Sequence, residues 1–454
     1  MAVLGAGVTG LTAAFRLVQA GCRVRLFEAS DRVGGAIRTE RTADGWLVEG
    51  GPNSLLSGSP PLAALIPEIG LDAARVEANP AARHRYIVRA GRPVAAPLSP
   101  PALMTSPLFS FGAKLRLLAD LLARPRVRSS DVSLAQFAAS HFGAEFVAYG
   151  INPFVAGVYA GNPDKLSARY AFPQLWAYEQ KYGSILRGQR ATAKAAAKSG
   201  PARDQPRIFS FERGLAELPT ALARSLPEGA LSVNARLEAL VPGKPWSIVW
   251  RDATNETHTE QFDAIVAALP APALAQLRLG TLGERPLAGL EGIEHPPVSS
   301  LFLGYRQEQV RHPLDGFGLL VPEVERRAIL GVLFSSSLFP GRAPAGHVGL
   351  TVMVGGTRQP ELARLAPERL RNAIESDLAE LLGVSGPPVF QRHTFWPRAI
   401  PQYNLGYERF LDAMAETERS HPGFFIGGQA RDGIAVPACV AAGEKLARRV
   451  LDEG

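Results

Sequence analysis

The first 28 residues constrain this chain more than any other stretch. An apolar run, Ala2-Val3-Leu4, meets Gly5-Ala6-Gly7-Val8-Thr9-Gly10; apolar residues then recur at Leu11, Ala14, Leu17 and Val18, and a second apolar run ends on the acid Glu28. The periodicity reads strand, turn, helix, strand, the opening of a parallel α/β sheet. Each glycine has a distinct role in that reading. Gly5 makes the tight turn, Gly7 lets a pyrophosphate approach the helix N-terminus, and Gly10 lets helix and strand pack closely, while Glu28 is placed to accept from a ribose hydroxyl. The alternative is an ordinary close strand-to-helix turn with no ligand; the acid at the right distance favours a bound dinucleotide.

The residues that follow narrow the choice of dinucleotide. Ala29-Ser30-Asp31-Arg32-Val33-Gly34-Gly35-Ala36-Ile37-Arg38-Thr39 runs directly on from the acid, and Glu49-Gly50-Gly51-Pro52-Asn53-Ser54 comes next. This composite resembles the flavin amine oxidase superfamily, whose members line FAD with an acid, an Arg, a Gly-Gly pair and a Gly-Pro stretch under the isoalloxazine. The resemblance implies FAD as cofactor.

With 454 residues, two or three domains are expected. Only Cys22 and Cys439 occur, which excludes a disulfide framework and favours a reducing compartment. No signal peptide is read ahead of the first strand, and no apolar run reaches the roughly 18 residues of a membrane span. A cytoplasmic location is therefore expected, with peripheral attachment to the inner face of the cell membrane as the alternative. The leading strand has so little chain before its glycine turn that a start a few residues upstream is also expected. The net charge of +7 is unevenly distributed: between Ala81 and Arg128 stand nine basic residues and one acid, Asp120, so this segment carries +8 and the remainder about −1. No nucleic-acid motif accompanies those bases, so nucleic acid is not an expected partner.

Further along, Arg85 to Val94 reads as a hairpin turning at Ala90-Gly91. Gly112 to Leu122 reads as a helix with leucines on one side and basic residues near its ends, either packed on its own domain or lying in a membrane interface. Helix is expected over Ser133 to Tyr149 and Phe172 to Tyr182, a small-residue loop over Asn152 to Pro163, and a mobile connection over Gly188 to Pro206. Alternating segments from Ser299 to Val354 predict an antiparallel sheet, and Pro367 opens an amphipathic helix stopped by Gly383. The expected fold is α/β: a Rossmann-like FAD-binding domain (1–80, 207–275 and 401–454) interleaved with a helical domain (81–206) and an antiparallel-sheet substrate domain (276–400).

Several longer motifs carry a closer resemblance. Phe154 to Ser167, Tyr182 to Ile185, Leu333 to Pro344 (Leu-Phe-Ser-Ser-Ser-Leu-Phe-Pro-Gly-Arg-Ala-Pro) and Ala399 to Tyr403 resemble, in that order, the family of oxygen-dependent protoporphyrinogen and coproporphyrinogen III oxidases. The resemblance implies flavin contacts at Gly5, Ala6, Gly7, Val8, Thr9, Gly10, Glu28, Ala29, Ala36, Gly51, Pro52, Asn53 and Ser54. It adds Leu237 at the adenine end, Trp396 near the flavin, and Ile434, Ala435 and Val436 over the ring. For a porphyrinogen substrate it implies Arg85 as propionate anchor and Gly157, Leu320, Leu333 and Met353 as the lining of an aliphatic slot, with Met353 where the family more often has an aromatic. A large apolar disc with rim carboxylates suits such a slot, and Arg can take a carboxylate in a bidentate fork.

The same resemblance implies oxidation of the methylene bridges in three rounds, each passing electrons through flavin to molecular oxygen as hydrogen peroxide, with no catalytic side chain and no metal. Protoporphyrinogen IX is the expected substrate and coproporphyrinogen III the alternative. An amine oxidase would call for a Lys beside the flavin, yet no Lys lies between Lys244 and Lys445. Cys439 matches a non-attached position, so FAD is expected to be non-covalent. A non-catalytic FAD scaffold is the competing class, and a homodimer is the oligomer entertained.

Overall fold

A computed structural model describes residues 1–125, 128–198, 207–280 and 283–453. The opening strand Ala2–Leu4 lies at the centre of a five-stranded parallel sheet, flanked by Arg25–Phe27 and Ile265–Ala267; Leu231–Ser232 and Phe424–Ile426 form the edges. Its central strands are buried on both faces, as a parallel sheet covered by helices requires. The helix Val8–Gln19 packs on one side against the C-terminal helix Val436–Glu453. Gly443 makes that contact close, since a Cβ there would meet the carbonyl oxygen of Thr9 at 2.5 Å.

The second layer is a seven-stranded sheet. Its order is Phe390–Trp396, Val298–Arg306, His347–Gly355, Ile329–Leu333, Gly316–Leu320, His84–Arg89 and Arg92–Ala95, all antiparallel except the parallel pair joining Gly316–Leu320 to His84–Arg89. The hairpin turns at Ala90-Gly91, both at positive φ. Its two strands give segment 81–206 a part in this sheet before the chain turns helical. Leu301, Leu319, Val332 and Val352 line one face and pack on helix Pro367–Leu382 through Leu370, Ile374 and Leu378. The other face looks toward the flavin domain.

Two expected loops are helices. Asn152–Tyr159 is helical because Pro153 falls in the first turn, where its missing N–H costs nothing, and the helix ends on Ala160 at φ 51°. Ile185–Lys198 is helical because Ala, Lys and Arg favour helix, and Gly188 sits where a Cβ would meet the Tyr178 ring at 2.4 Å. The rest of the expected mobile connection, 199–206, lies outside the described residues. The C-terminal helix begins at Val436.

The helix expected at 112–122 is present. It runs Phe111–Ala119, with a 3₁₀ turn through Leu122. Phe111, Leu115, Leu118 and Leu122 face solvent, whereas Lys114 is buried and donates to the Met104 carbonyl (2.9 Å). Part of the basic excess of this region is internal, since Arg89 pairs with Glu145 and Arg128 with Glu179, whereas Arg83, Arg85, Arg92, Arg116 and Arg124 are exposed; Arg126 lies outside the described residues.

Candidate flavin and substrate site

The glycine turn has the geometry a dinucleotide needs. Gly5 is at φ 93°, and a Cβ on Gly10 would meet the Gly5 carbonyl oxygen at 1.9 Å, so both positions require glycine. A Cβ on Gly7, by contrast, would meet nothing within 4 Å: the space over the helix N-terminus is open. No acidic residue sits in the first turn of Val8–Gln19 and no side chain caps it, leaving the backbone N–H groups there for an anion. Glu28 ends its strand beside this turn. Its carboxylate accepts from Ala6 N (2.8 Å) and from Ser30 N and Oγ (2.9 and 2.7 Å), which fixes its direction. These groups fit FAD.

Around this turn the structure gathers the other expected flavin residues. Arg32 donates to the carbonyls of Val33, Gly35 and Ile37 (3.1, 2.8 and 3.0 Å), folding the Gly34-Gly35-Ala36 turn, and a Cβ on Gly35 would meet Gly7 Cα at 3.4 Å. Gly51 lies so close to that turn that a Cβ would meet the Ala36 oxygen at 2.0 Å; Pro52, Asn53 and Ser54 follow it. Ala235 N donates to Glu28 O (2.8 Å), which brings the strand carrying Leu237 beside Glu28 and Ala29. Trp396 Nε1 donates to Gly50 O (2.7 Å). The turn at Gly433 (φ 116°), which leads into Ile434, Ala435 and Val436, is held by Tyr403: its hydroxyl accepts from Gly433 N (3.0 Å) and donates to Gln429 O. Cys439 is buried, and desolvation pushes its thiol up to about 11.

The expected substrate residues fall on a single face of the seven-stranded sheet. Arg85 pairs with Gly318, Gly318 with Leu333, Leu333 with Thr351 and Thr351 with Phe302. Two residues along, the next row is Ile87, Leu320, Gly331, Met353, Ser300 and Thr394. Residues opposite each other or two apart share a face, so Arg85, Leu320, Leu333 and Met353 do. Gly157 meets them from the helix Asn152–Tyr159, where a Cβ would lie 2.4 Å from Leu320 Cδ2. Met353 and Ala399 pack against the buried cluster that holds Ala156 and Ala160. Arg85 is exposed at the rim, its guanidinium 5.7 Å from the Phe317 ring, without an acidic partner among the described residues. Thr394, at the end of the second row, lies where a Cβ on Gly50 would meet its hydroxyl at 3.2 Å, so the two halves touch.

Sequence reasoning missed the groups that join those halves. Gln402 Nε2 donates to Tyr159 O and Ile400 O (2.8 and 2.9 Å), binding the slot helix to the Ala399–Tyr403 segment. Glu49 and Arg342 form a buried ion pair (3.0 Å) between the flavin strand Leu47–Glu49 and the substrate domain. Arg342 lies inside the Leu333 to Pro344 motif, but nothing in a sequence marks its partner 293 residues away.

Comparison with known proteins agrees with this geometry. The family of flavin containing amine oxidoreductases matches residues 8–451. Protoporphyrinogen oxidase 2 of Arabidopsis thaliana, chloroplastic/mitochondrial, is 35% identical over 99% of this chain and 93% of its own length. The coproporphyrinogen III oxidase of Bacillus subtilis is 26% identical over 97% and 96%. Among solved structures, one from Exiguobacterium sp. 255-15, provisionally assigned as a protoporphyrinogen oxidase, has a TM-score of 0.82 at 25% identity, covering 100% of this chain and 98% of its own. The chain thus belongs to the flavin containing amine oxidoreductases, in their protoporphyrinogen oxidase branch, and is an FAD-dependent oxidase.

Proposed function

We propose that this enzyme oxidises protoporphyrinogen IX to protoporphyrin IX, with FAD held non-covalently and molecular oxygen as final acceptor. The observation that carries the reading is the alignment of Arg85, Leu320, Leu333 and Met353 on one sheet face, closed by Gly157 and continuous with the flavin floor at Gly50. The aliphatic side chains exclude water from the tetrapyrrole plane, and Arg85 at the rim holds a propionate. Bound FAD supplies the two-electron acceptor. Removing six electrons and six protons from the substrate consumes three oxygen molecules and releases three of hydrogen peroxide. Coproporphyrinogen III is the second reading, favoured by the Bacillus subtilis relative. Oxygen uptake and porphyrin fluorescence with each porphyrinogen test both readings. Faster turnover of protoporphyrinogen IX is expected; faster turnover of coproporphyrinogen III reverses the assignment, and uptake with neither overturns both.

The same reading includes peripheral attachment to a lipid surface. Phe111, Leu115, Leu118 and Leu122 form one exposed apolar stripe at helical spacing, with Leu98 and Met104 also exposed, and Arg116 and Arg124 are available to lipid phosphates. No helix among the described residues is long and apolar enough to cross a membrane. A poorly soluble tetrapyrrole favours a slot that opens near lipid. A second copy of the chain covering this stripe is the competing outcome.

A further inference from the structure

We infer that the Glu49–Arg342 pair is a positioning device for the redox step: it sets the substrate sheet at a fixed separation from the flavin floor. The inference rests on the porphyrinogen oxidase reading above. Glu49 immediately precedes Gly50-Gly51, and Arg342 lies in the loop that leaves the slot strand at Leu333. Glu49 is 5% exposed and Arg342 3%. Glu49 Oε1 accepts from Arg342 Nη1 (3.0 Å) and Leu215 N (2.9 Å), and Oε2 accepts from Thr39 Oγ1 (2.6 Å). Arg342 Nη2 donates to Ser210 Oγ (2.6 Å), and its carbonyl accepts from Leu47 N (3.2 Å). Three separated segments of the flavin domain are thereby fastened to one loop of the substrate domain. A small void of about 10 Å³ adjoins the pair, lined by both of them with Asn53 and Leu333, so the node abuts the flavin stretch on one side and the slot on the other.

Burial pushes the Glu49 carboxyl up and the Arg342 guanidinium down, while their mutual attraction and the donated hydrogen bonds oppose both shifts. Stability alone does not call for charges here, since an apolar pair of similar volume is often as stable. What the pair adds is direction, because a guanidinium fork fixes its partner's place more narrowly than packing does. Separation matters for this reaction: the reacting atoms must approach to about 3–3.5 Å, and a misplacement of about 1 Å can cost on the order of 100-fold in rate. Arg85, Leu320 and Leu333 remain on their own sheet when the pair is lost, and neither Glu49 nor Arg342 hydrogen-bonds to the pyrophosphate cradle at Gly5–Gly10. The rate of flavin reduction should therefore fall while substrate affinity and FAD content persist.

Arg342→Lys, Arg342→Met and the double variant Glu49→Gln/Arg342→Met test this, the double variant because it leaves no unpaired buried charge. The readouts are kcat and KM per bound flavin with protoporphyrinogen IX, the anaerobic rate of flavin bleaching in a single turnover, reoxidation by oxygen, FAD content and Tm. Arg342→Met and the double variant should lose about 10–100-fold in kcat and in bleaching rate, with KM within about threefold and reoxidation unchanged, and Arg342→Lys should recover part of the loss. A double variant that loads FAD and bleaches within about threefold of wild type overturns the inference, as does one that fails to fold or to load FAD, because the pair is then purely structural. Wild-type flavin that no porphyrinogen bleaches refutes the underlying functional reading instead.

Discussion

At Gly157 a single methyl group is enough to disturb the slot. Gly157→Ala would push a Cβ to within 2.4 Å of Leu320 Cδ2, the free end of a flexible side chain, so the leucine turns and stability changes little. The displaced leucine alters the lining, and KM should rise by about 5–30-fold, an overpacking cost of about 1–2 kcal/mol read in binding, with FAD content intact. Gly51→Ala should behave in the opposite way: its Cβ would fall 2.0 Å from the Ala36 carbonyl oxygen, part of the backbone under the flavin, so FAD occupancy measured from the visible spectrum should drop before any change in KM appears. Arg85→Ala should weaken porphyrinogen binding by about 1–3 kcal/mol and leave FAD content unchanged, because the exposed guanidinium has no acidic partner among the described residues to orphan. An unchanged KM would remove Arg85 from the propionate role. Most of these residues were legible in the sequence because glycine fingerprints and family motifs are local. Glu49 with Arg342, and Gln402 with Tyr159, were not, because each pair is made by the tertiary fold.

Helices in the 81–206 segment carry a pH dependence of their own. His141 is buried between two carboxylates, with Nδ1 2.5 Å from Asp120 Oδ1 and Nε2 3.1 Å from Glu179 Oε1, and Arg128 binds Glu179 through two 2.7 Å hydrogen bonds. Although burial opposes the charged form, these two partners hold the imidazolium above its ordinary value, and Asp120 and Glu179 are held below theirs by the hydrogen bonds they accept from His141 and others. A raised histidine stabilises fully below its unfolded value of about 6.5 and loses that contribution as pH rises through the folded value; the depressed carboxylates lose theirs as pH falls through their folded values. The Tm should therefore be highest in mildly acidic buffer and decline toward alkaline pH. His141→Gln should be destabilised by about 3–5 kcal/mol and lose the alkaline decline, and a wild-type Tm flat across that range would contradict the assignment. Arg128 belongs to this network, so it is a poor choice for a surface-charge variant. The exposed stripe is better tested by changing Leu115, Leu118 and Leu122 to Ser: co-sedimentation with anionic vesicles should be lost, and because contact is mainly apolar, salt should weaken wild-type binding only in part. At this scale the sequence misled where composition outweighed position. Small residues suggested a loop at 152–163, although Pro153 sits in a first turn; for 112–122 the sequence left a packed and an interfacial helix open, and the fold leaves Leu115, Leu118 and Leu122 exposed.

For the molecule as a whole, FAD should act as a structural ligand. Protein stripped of flavin should melt lower than protein with FAD at about 100 times its dissociation constant, by the equivalent of about 2.7 kcal/mol, and acid precipitation should leave the flavin in the supernatant. Flavin retained in the pellet would contradict non-covalent binding and the inert, buried Cys439. The general architecture was legible because the βαβ opening and the late alternating strands are strong periodic signals; the identity of sheet neighbours was not, since strand 84–89 pairs with strand 316–320 across more than half the chain. That interleaving governs how the protein can be made. The central sheet takes strands from residues 2–4, 25–27, 231–232, 265–267 and 424–426, and its first helix is covered by the last. Strand Ala2–Leu4 lacks its second neighbour until residues 265–267 have emerged, and the first helix stays uncovered until helix Val436–Glu453 has, so the nascent chain must wait with its early elements only partly packed. Truncation even a few dozen residues before the end should yield no smaller working unit, only chain that chaperones must hold or proteases remove.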